Sequence, residues 1–210
     1  AALPPEAPAV QTAQAPTANQ RKTSPPFSGN PSRFEQKDRD RKLQVERVMD
    51  VLGVRAGTSV ADIGAGSGWF TVRAARRVGR AGKVYAVEIN PEFLRHIEQR
   101  ARKEGIGNIE TVLGGDDNPR LPDNSVDSVL LLKTYHEIAK PIPLMTHLRR
   151  ALRPGARVGV IDRNGKGDDH GIERAVVVEE ARLAGYELLE EHDFVKGDEG
   201  VDYFLVFRAK

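Results

Sequence analysis

The sequence predicts a doubly wound α/β fold, a seven-stranded, mostly parallel sheet with helices on both faces and an antiparallel C-terminal hairpin at one edge. Three observations carry this prediction. Apolar runs of strand length alternate with helical periodicities from Val45 to Asp162, the pattern of successive strand-helix units. The first run, Val60-Ala61-Asp62-Ile63, breaks into glycines at alternate positions (Gly64, Gly66, Gly68) before a helix resumes at Trp69-Phe70. Two late runs, 187–195 and 201–209, are close enough to pair across Lys196-Gly197-Asp198-Glu199-Gly200, as a hairpin does.

At 210 residues the chain has room for one such domain and a tail, and not for two domains. Residues 1–33 hold seven of the thirteen prolines among Ala, Thr, Gln and Ser, with hardly any large apolar residue, so they read as a disordered leader preceding a domain over 34–210. The chain starts at Ala1 without a methionine, as it would after removal of an export signal or after trimming. No apolar run reaches the roughly 18 residues of a membrane span. The net charge is +2, with Lys and Arg scattered among Asp and Glu. No nucleic-acid footprint stands out, and charge alone does not name a partner. The absence of cysteine excludes disulfides, thiolate metal sites, a cysteine nucleophile and the thiol chemistry of arsenic methylation.

In chain order, Val45, Val48, Met49 and Leu52 recur at helical spacing before a glycine stop at Gly53, an amphipathic helix beside the first strand. Phe34 and the basic run Arg39, Arg41, Lys42 stand where a pocket lid or a solvated helix face would lie. Phe70, Ala74, Ala75 and Val78 form the apolar face of the next helix, and Lys83–Glu88 is the second strand. Asn90-Pro91 opens a further helix, with Asn as cap and Pro in the first position, that stops at Gly105. Strand three is Ile109–Leu113, and strand four is the buried run Val126–Leu132. A helix around Leu144, Met145, Leu148 and Leu152, stopped by Arg153-Pro154-Gly155, leads into strand five, Val158–Asp162. Arg163–Gly171 is polar and glycine-rich, a mobile loop on the ligand edge, and Val177, Ala181 and Ala184 mark the last helix.

Alternate glycines permit positive φ and let a ligand approach the main chain. The spacing is not Gly-x-Gly-x-x-Gly, since Trp69 stands where the third glycine of a dinucleotide fingerprint belongs, so a nicotinamide cofactor is disfavoured. The pattern Asp62-x-Gly64-x-Gly66-x-Gly68, followed about 20 residues on by Val84-Tyr85-Ala86-Val87-Glu88, resembles the class I S-adenosylmethionine-dependent methyltransferases. The later strands and the Arg-Pro-Gly turn before strand five add to that resemblance, which covers residues 34–208. Glu191-His192-Asp193-Phe194 and Tyr203–Arg208 are similar to a group of small bacterial methyltransferases of unassigned substrate.

The resemblance implies a Rossmann-like fold and S-adenosylmethionine as cofactor. It implies that Asp62, Gly64, Ala65, Gly66 and Gly68 shape the donor loop and that Glu88, with Ile89 beside it, holds the ribose. Asp116, with Asp117 as the alternative, would take the adenine amino group, and Lys133 would border the same pocket. Lys133-Thr134-Tyr135-His136-Glu137 leaves strand four beside the glycine loop, where an acceptor must sit. His136 is the general-base candidate because an imidazole titrates near neutrality, with substrate positioning or a structural role as alternatives. Tyr135 would orient the acceptor or shape an apolar wall. The resembling group reads Thr-Tyr-His-His here, so Glu137 departs from it. Asp162, Asn164, Asp168, Asp169 and His170 cluster after strand five, but strand four ends in a lysine where a magnesium ligand would be needed, and no metal is expected. The activity implied is methyl transfer to an O, N or S nucleophile of a small molecule. A non-catalytic donor-binding or partner-binding module is the alternative. Donor supply argues for the cytoplasm and the leader for export.

Overall fold

The computed structural model describes residues 21–197 and 200–210. Its main sheet has seven strands in the order β3-β2-β1-β4-β5-β9-β6. These are β1 (Ser59–Ile63), β2 (Lys83–Glu88), β3 (Ile109–Leu113), β4 (Val126–Leu132), β5 (Leu152–Asp162), β6 (Tyr186–His192) and β9 (Tyr203–Ala209). The first five are parallel to their neighbours, and β9 runs antiparallel between β5 and β6. A two-strand ladder, β7 (Lys196–Gly197) with β8 (Gly200–Val201), closes the hairpin.

Helices cover both faces. On one, α2 (Val45–Leu52) and α3 (Trp69–Val78) bury Val48, Met49, Phe70 and Ala74 against Val60, Leu130 and Phe204. On the other, α5 (Pro141–Ala151) and α6 (Arg174–Leu183) bury Leu144, Leu148 and Val177 against Val129, Val160 and Leu205. The short α1 (Arg39–Leu43) leads into α2, and α4 (Pro91–Lys103) packs on β2 and β3. The helix ends obey their local chemistry. The Asn90 side chain accepts the Glu92 N–H at 2.9 Å with Pro91 in the first turn, and Gly53 closes α2 at φ 73°.

The sequence placed these strands and helices. The chief difference lies in β5, which begins at Leu152, six residues before the expected start. Leu152 pairs with Val126 and Arg157 with Ser128, so residues 153–156, which carry the Arg-Pro-Gly turn, bulge out of the ladder between two paired points.

The chain runs from β1 to β2 and β3 on one side and returns to β4 on the other. The glycine loop after β1 therefore stands at the switch point of the sheet, where a crevice opens outside the carboxyl ends of the strands.

Residues 1–20 of the expected leader lie outside the described residues. Residues 21–29 depart from the expectation, because they lie across the crevice instead of away from the domain. Arg21 pairs with Glu180, the Arg21 N–H donates to the Ala139 carbonyl at 3.0 Å and that of Ser24 to Gly167 at 2.9 Å. Phe27 meets Phe34 edge-on at 5.0 Å between ring centres. Composition averages hide these three side chains, each of which finds a specific partner.

Candidate active site

The crevice holds a cavity of about 1160 Å³. Ligand sites commonly occupy roughly 300–1,000 Å³, so this one has room for two small molecules together. One end is made by the loop after β1. Gly64, Gly66 and Gly68 all have positive φ (74°, 54°, 74°), and a Cβ on Gly64 would overlap the Thr134 side chain. Glu88, at the end of β2, fixes that loop to its neighbour. Its carboxylate accepts the N–H of Gly66 at 3.0 Å and those of Ile89 and Asn90 at 2.8 and 3.2 Å.

Beneath the loop, Asp62 is buried and accepts the Thr71 hydroxyl at 2.6 Å. Burial pushes its carboxyl up to about 6, against the Thr71 hydrogen bond and the Arg39 charge, which pull the other way. A carboxylate held short of water on a cavity wall is matched by a cationic ligand. The wall continues through Gly114, Gly115 and Asp116.

At the other end, residues 135–137 form a single helical turn after β4. His136 is buried, and its Nδ1 lies 2.9 and 3.0 Å from the two oxygens of Asp162, which is fully buried. Asp162 also accepts the N–H of His136 at 3.1 Å and of Arg163 at 2.9 Å. A carboxylate only accepts, so Nδ1 carries a proton, and in the neutral ring the lone pair is therefore at Nε2. Nε2 stands 3.9 Å from Glu137 Oε1, and burial pushes that carboxyl up to about 7. The roof comes from residues 23–29, from Phe34, Arg39 and Lys42, and from Arg163, Asn164 and His170.

Residues 60–155 match the family described as methyltransferase domain. With the switch-point loop, the acid ending β2 and the antiparallel β9, that match decides the assignment. Residues 60–155 form a methyltransferase domain with the class I S-adenosylmethionine-dependent fold. A ubiquinone/menaquinone biosynthesis C-methyltransferase UbiE from Hahella chejuensis is 36% identical over 115 residues, 54% of this chain and 46% of that protein. The chain thus spans about half the length of the curated relatives it matches. A SAM-dependent methyltransferase from Aquifex aeolicus shares the fold, with a TM-score of 0.74 at 23% identity over 86% of this chain and 98% of that one. The [4+2]-cyclase SpnF also shares it, with a TM-score of 0.69 at 17% identity over 91% and 86%. Fold alone therefore does not dictate methyl transfer.

Two observations fit this methyltransferase domain to the family's donor. Gly64 and Gly66 line the cavity without side chains, and the buried Asp62, still pushed up to about 6 with the Arg39 charge near it, would be favoured in its charged form by a further cation such as a sulfonium or ammonium.

Of the residues expected at the site, Asp62, Gly64, Ala65, Gly66, Glu88, Ile89, Asp116, Lys133 and His136 line the cavity. Three do not. Tyr135 turns its ring into the core with Arg21 4.9 Å over it, and burial, with Glu180 nearby, raises its phenol well above the ordinary range. Its hydroxyl is buried, and Tyr135 stands behind the cavity lining and not in it. Asp117 sits beside the wall, its carbonyl bonded to His147 Nδ1 at 2.7 Å, and of the two acids only Asp116 lines the cavity. Gly68 faces Ile97 and caps α3. Lys133 takes a positive φ of 56° and pairs with the buried Asp202 at 2.6 Å. Asp162, which the sequence groups only with the polar residues after strand five, holds His136, a link that nothing in the spacing announced.

The raised Asp62 value has a consequence for stability. The folded state takes up a proton between the ordinary 3.8 and about 6 that the unfolded chain does not, so stability falls as pH rises through that window, by roughly 3 kcal/mol. Asp62→Asn keeps an acceptor for Thr71 and removes the charge. Urea unfolding at pH 5 and pH 7.5 should show the variant more stable than the parent at the higher pH, with the gap narrowing at the lower. Equal gaps at both would mean that Asp62 is solvated.

Proposed function

We propose that this domain transfers a methyl group from S-adenosylmethionine to a small-molecule acceptor by in-line displacement, with the acceptor seated at the His136 end of the cavity. The observation that carries the proposal is the single cavity running from the glycine loop to His136. Reaction needs donor and acceptor within about 3–3.5 Å of each other, and one continuous chamber with room for two ligands meets that need.

The donor supplies an electrophilic methyl on a positively charged sulfur. Glu88 is placed to accept hydrogen bonds from a ribose while it holds the Gly66 amide, Asp62 to balance positive charge, and Asp116 to accept from an adenine amino group. His136, fixed by Asp162, offers Nε2 to whatever proton or ion the acceptor brings, and the roof from residues 23–29 and 163–170 excludes water. The similarity to UbiE C-methyltransferases supports a carbon nucleophile activated by a neighbouring oxygen, a class outside the O, N or S nucleophiles expected from sequence.

Calorimetric titration with S-adenosylhomocysteine, with NADH as control, tests the donor site. Micromolar binding of the first alone is expected, and Glu88→Ala should weaken it at least tenfold, about 1.4 kcal/mol. If the parent chain binds neither ligand the donor reading fails. If Glu88→Ala binds as the parent does, Glu88 has no part in the site.

A further inference from the structure

Beside the acceptor seat, His136, Glu137 and His170 bring one ligand atom each to within 4.8 Å of one another. Two imidazoles and a carboxylate are a set that zinc and other divalent transition metals accept, with coordination positions left open. We propose that these three residues bind one divalent transition-metal ion whose open positions face the cavity and take an oxygen of the acceptor. The metal site stands on the ligand geometry alone, and only the acceptor assignment rests on the methyltransferase reading.

The support around the ligands is that of a metal centre. Histidine ligands characteristically donate their other ring N–H to a carboxylate, which fixes ring and tautomer, and the buried Asp162 does this for His136 at 2.9 Å. In the neutral ring this leaves the lone pair at Nε2, which stands 3.9 Å from Glu137 Oε1. His170 approaches edge-on from the loop after β5, with ring centres 5.9 Å from those of His136 at 88°. Its backbone has a positive φ of 59°, rare for a residue with a Cβ, and is held there because its N–H donates to the buried Ser24 hydroxyl at 3.0 Å.

Metal–ligand bonds of about 2.1 Å put tetrahedral ligand atoms about 3.4 Å apart. The present separations therefore close by roughly 1 Å on binding. His170 is the ligand that moves, being exposed on a loop. Charge agrees as well. Glu137 and Asp162 bring two carboxylates to the ion, and the Arg163 guanidinium donates to the carbonyls of Asp169 and His170. The lysine ending β4, which argued against a magnesium site in the sequence, is paired with Asp202 and plays no part. The ligands come instead from the turn after it and from the loop after β5. An ion here suits an acceptor with a phenolic or enolic oxygen, which would bind as the oxyanion with its proton released to solvent and so place nucleophilic charge on the carbon next to the C–O carbon.

The test uses the untagged chain, stripped with a chelator and titrated with Zn²⁺ by calorimetry and with Co²⁺ by visible absorption. One equivalent is expected to bind, with the absorption of a four- or five-coordinate Co²⁺ site. His170→Ala, an exposed change, should weaken affinity at least tenfold, and Glu137→Gln should do the same and alter the Co²⁺ spectrum. Absence of a stoichiometric site overturns the proposal, as does a site that both variants leave unchanged. S-adenosylhomocysteine titration of the same stripped protein separates the two readings. Donor binding without metal binding removes the metal alone, and metal binding without donor binding removes the donor reading and leaves the site.

Discussion

Gly64→Ala should cost the domain several kcal/mol of stability and more than a hundredfold in donor affinity. Gly64 has φ 74°, a conformation that costs a residue with a Cβ about 1–2 kcal/mol. The added Cβ would also overlap Oγ1 and Cγ2 of Thr134 and lie 2.8 Å from its Cβ. Thr134 follows the end of β4, so it cannot move without moving the turn that carries His136. Overpacking of this kind costs about 1–3 kcal/mol, and the sum is a large part of a typical folding stability of roughly 5–15 kcal/mol. Gly155→Ala is the control, because Gly155 has a similar φ of 79° with nothing near its missing Cβ. Chemical denaturation should place Gly64→Ala below Gly155→Ala by the overlap share. Adding Thr134→Gly should return that share and leave the conformational one. Equal losses in the two single variants would show that Thr134 yields freely, and the tight β1–β4 junction would lose its role in shaping the donor loop.

The sheet was legible because its strands are buried on both faces, so that Val126–Leu132 and Val158–Asp162 appear as near-continuous apolar runs. The helix ends were legible because Asn90-Pro91 and Gly53 act through local chemistry that a sequence displays directly. The glycine-loop end of the cavity was legible for a related reason. Its parts are strand ends, and a strand end followed by glycine or by an acid leaves a mark in the chain. The His136 end was not. Tyr135 and His136 are neighbours in one helical turn, yet one side chain enters the core and the other the cavity, and a single turn offers no periodicity to tell them apart. Asp162 and His136 meet across 26 residues at the ends of adjacent parallel strands, a pairing fixed by the register of β4 on β5. Residues 21–29 were hidden by their composition. Taken with residues 1–20, which are rich in proline and alanine, they average to a polar leader, whereas Arg21, Ser24 and Phe27 make the contacts.

Asp162→Asn should weaken acceptor activation while leaving the donor end intact. The Asp162 carboxylate serves three donors: the His136 N–H, the Arg163 N–H and His136 Nδ1. An asparagine has one oxygen. If its amide nitrogen takes the place of Oδ1 it opposes the Arg163 N–H, and if it takes the place of Oδ2 it opposes that of His136. Either way a buried donor is left unpaired, at about 1–3 kcal/mol. Nδ1 lies 3.0 and 2.9 Å from the two positions, so it meets both the remaining oxygen, which still accepts from Nδ1–H, and the new amide nitrogen, which donates to a bare Nδ1 and brings the tautomer with its proton on Nε2 into competition. In that tautomer the lone pair facing Glu137 and the cavity is lost, and His136 can neither accept a proton there nor ligate an ion. Proton transfer by a positioned side chain typically contributes about 10²–10⁴-fold, and a loss of up to that order in methyl transfer to an acceptor found by screening is expected. Binding of S-adenosylhomocysteine should change by less than about twofold, because no donor-end residue touches Asp162. Nitrogen-15 spectra of the His136 ring report the tautomer directly, a readout that mere loosening of the fold would not move. Retained turnover with the proton shown on Nε2 would remove His136 from the chemistry and leave it as a wall of the acceptor seat.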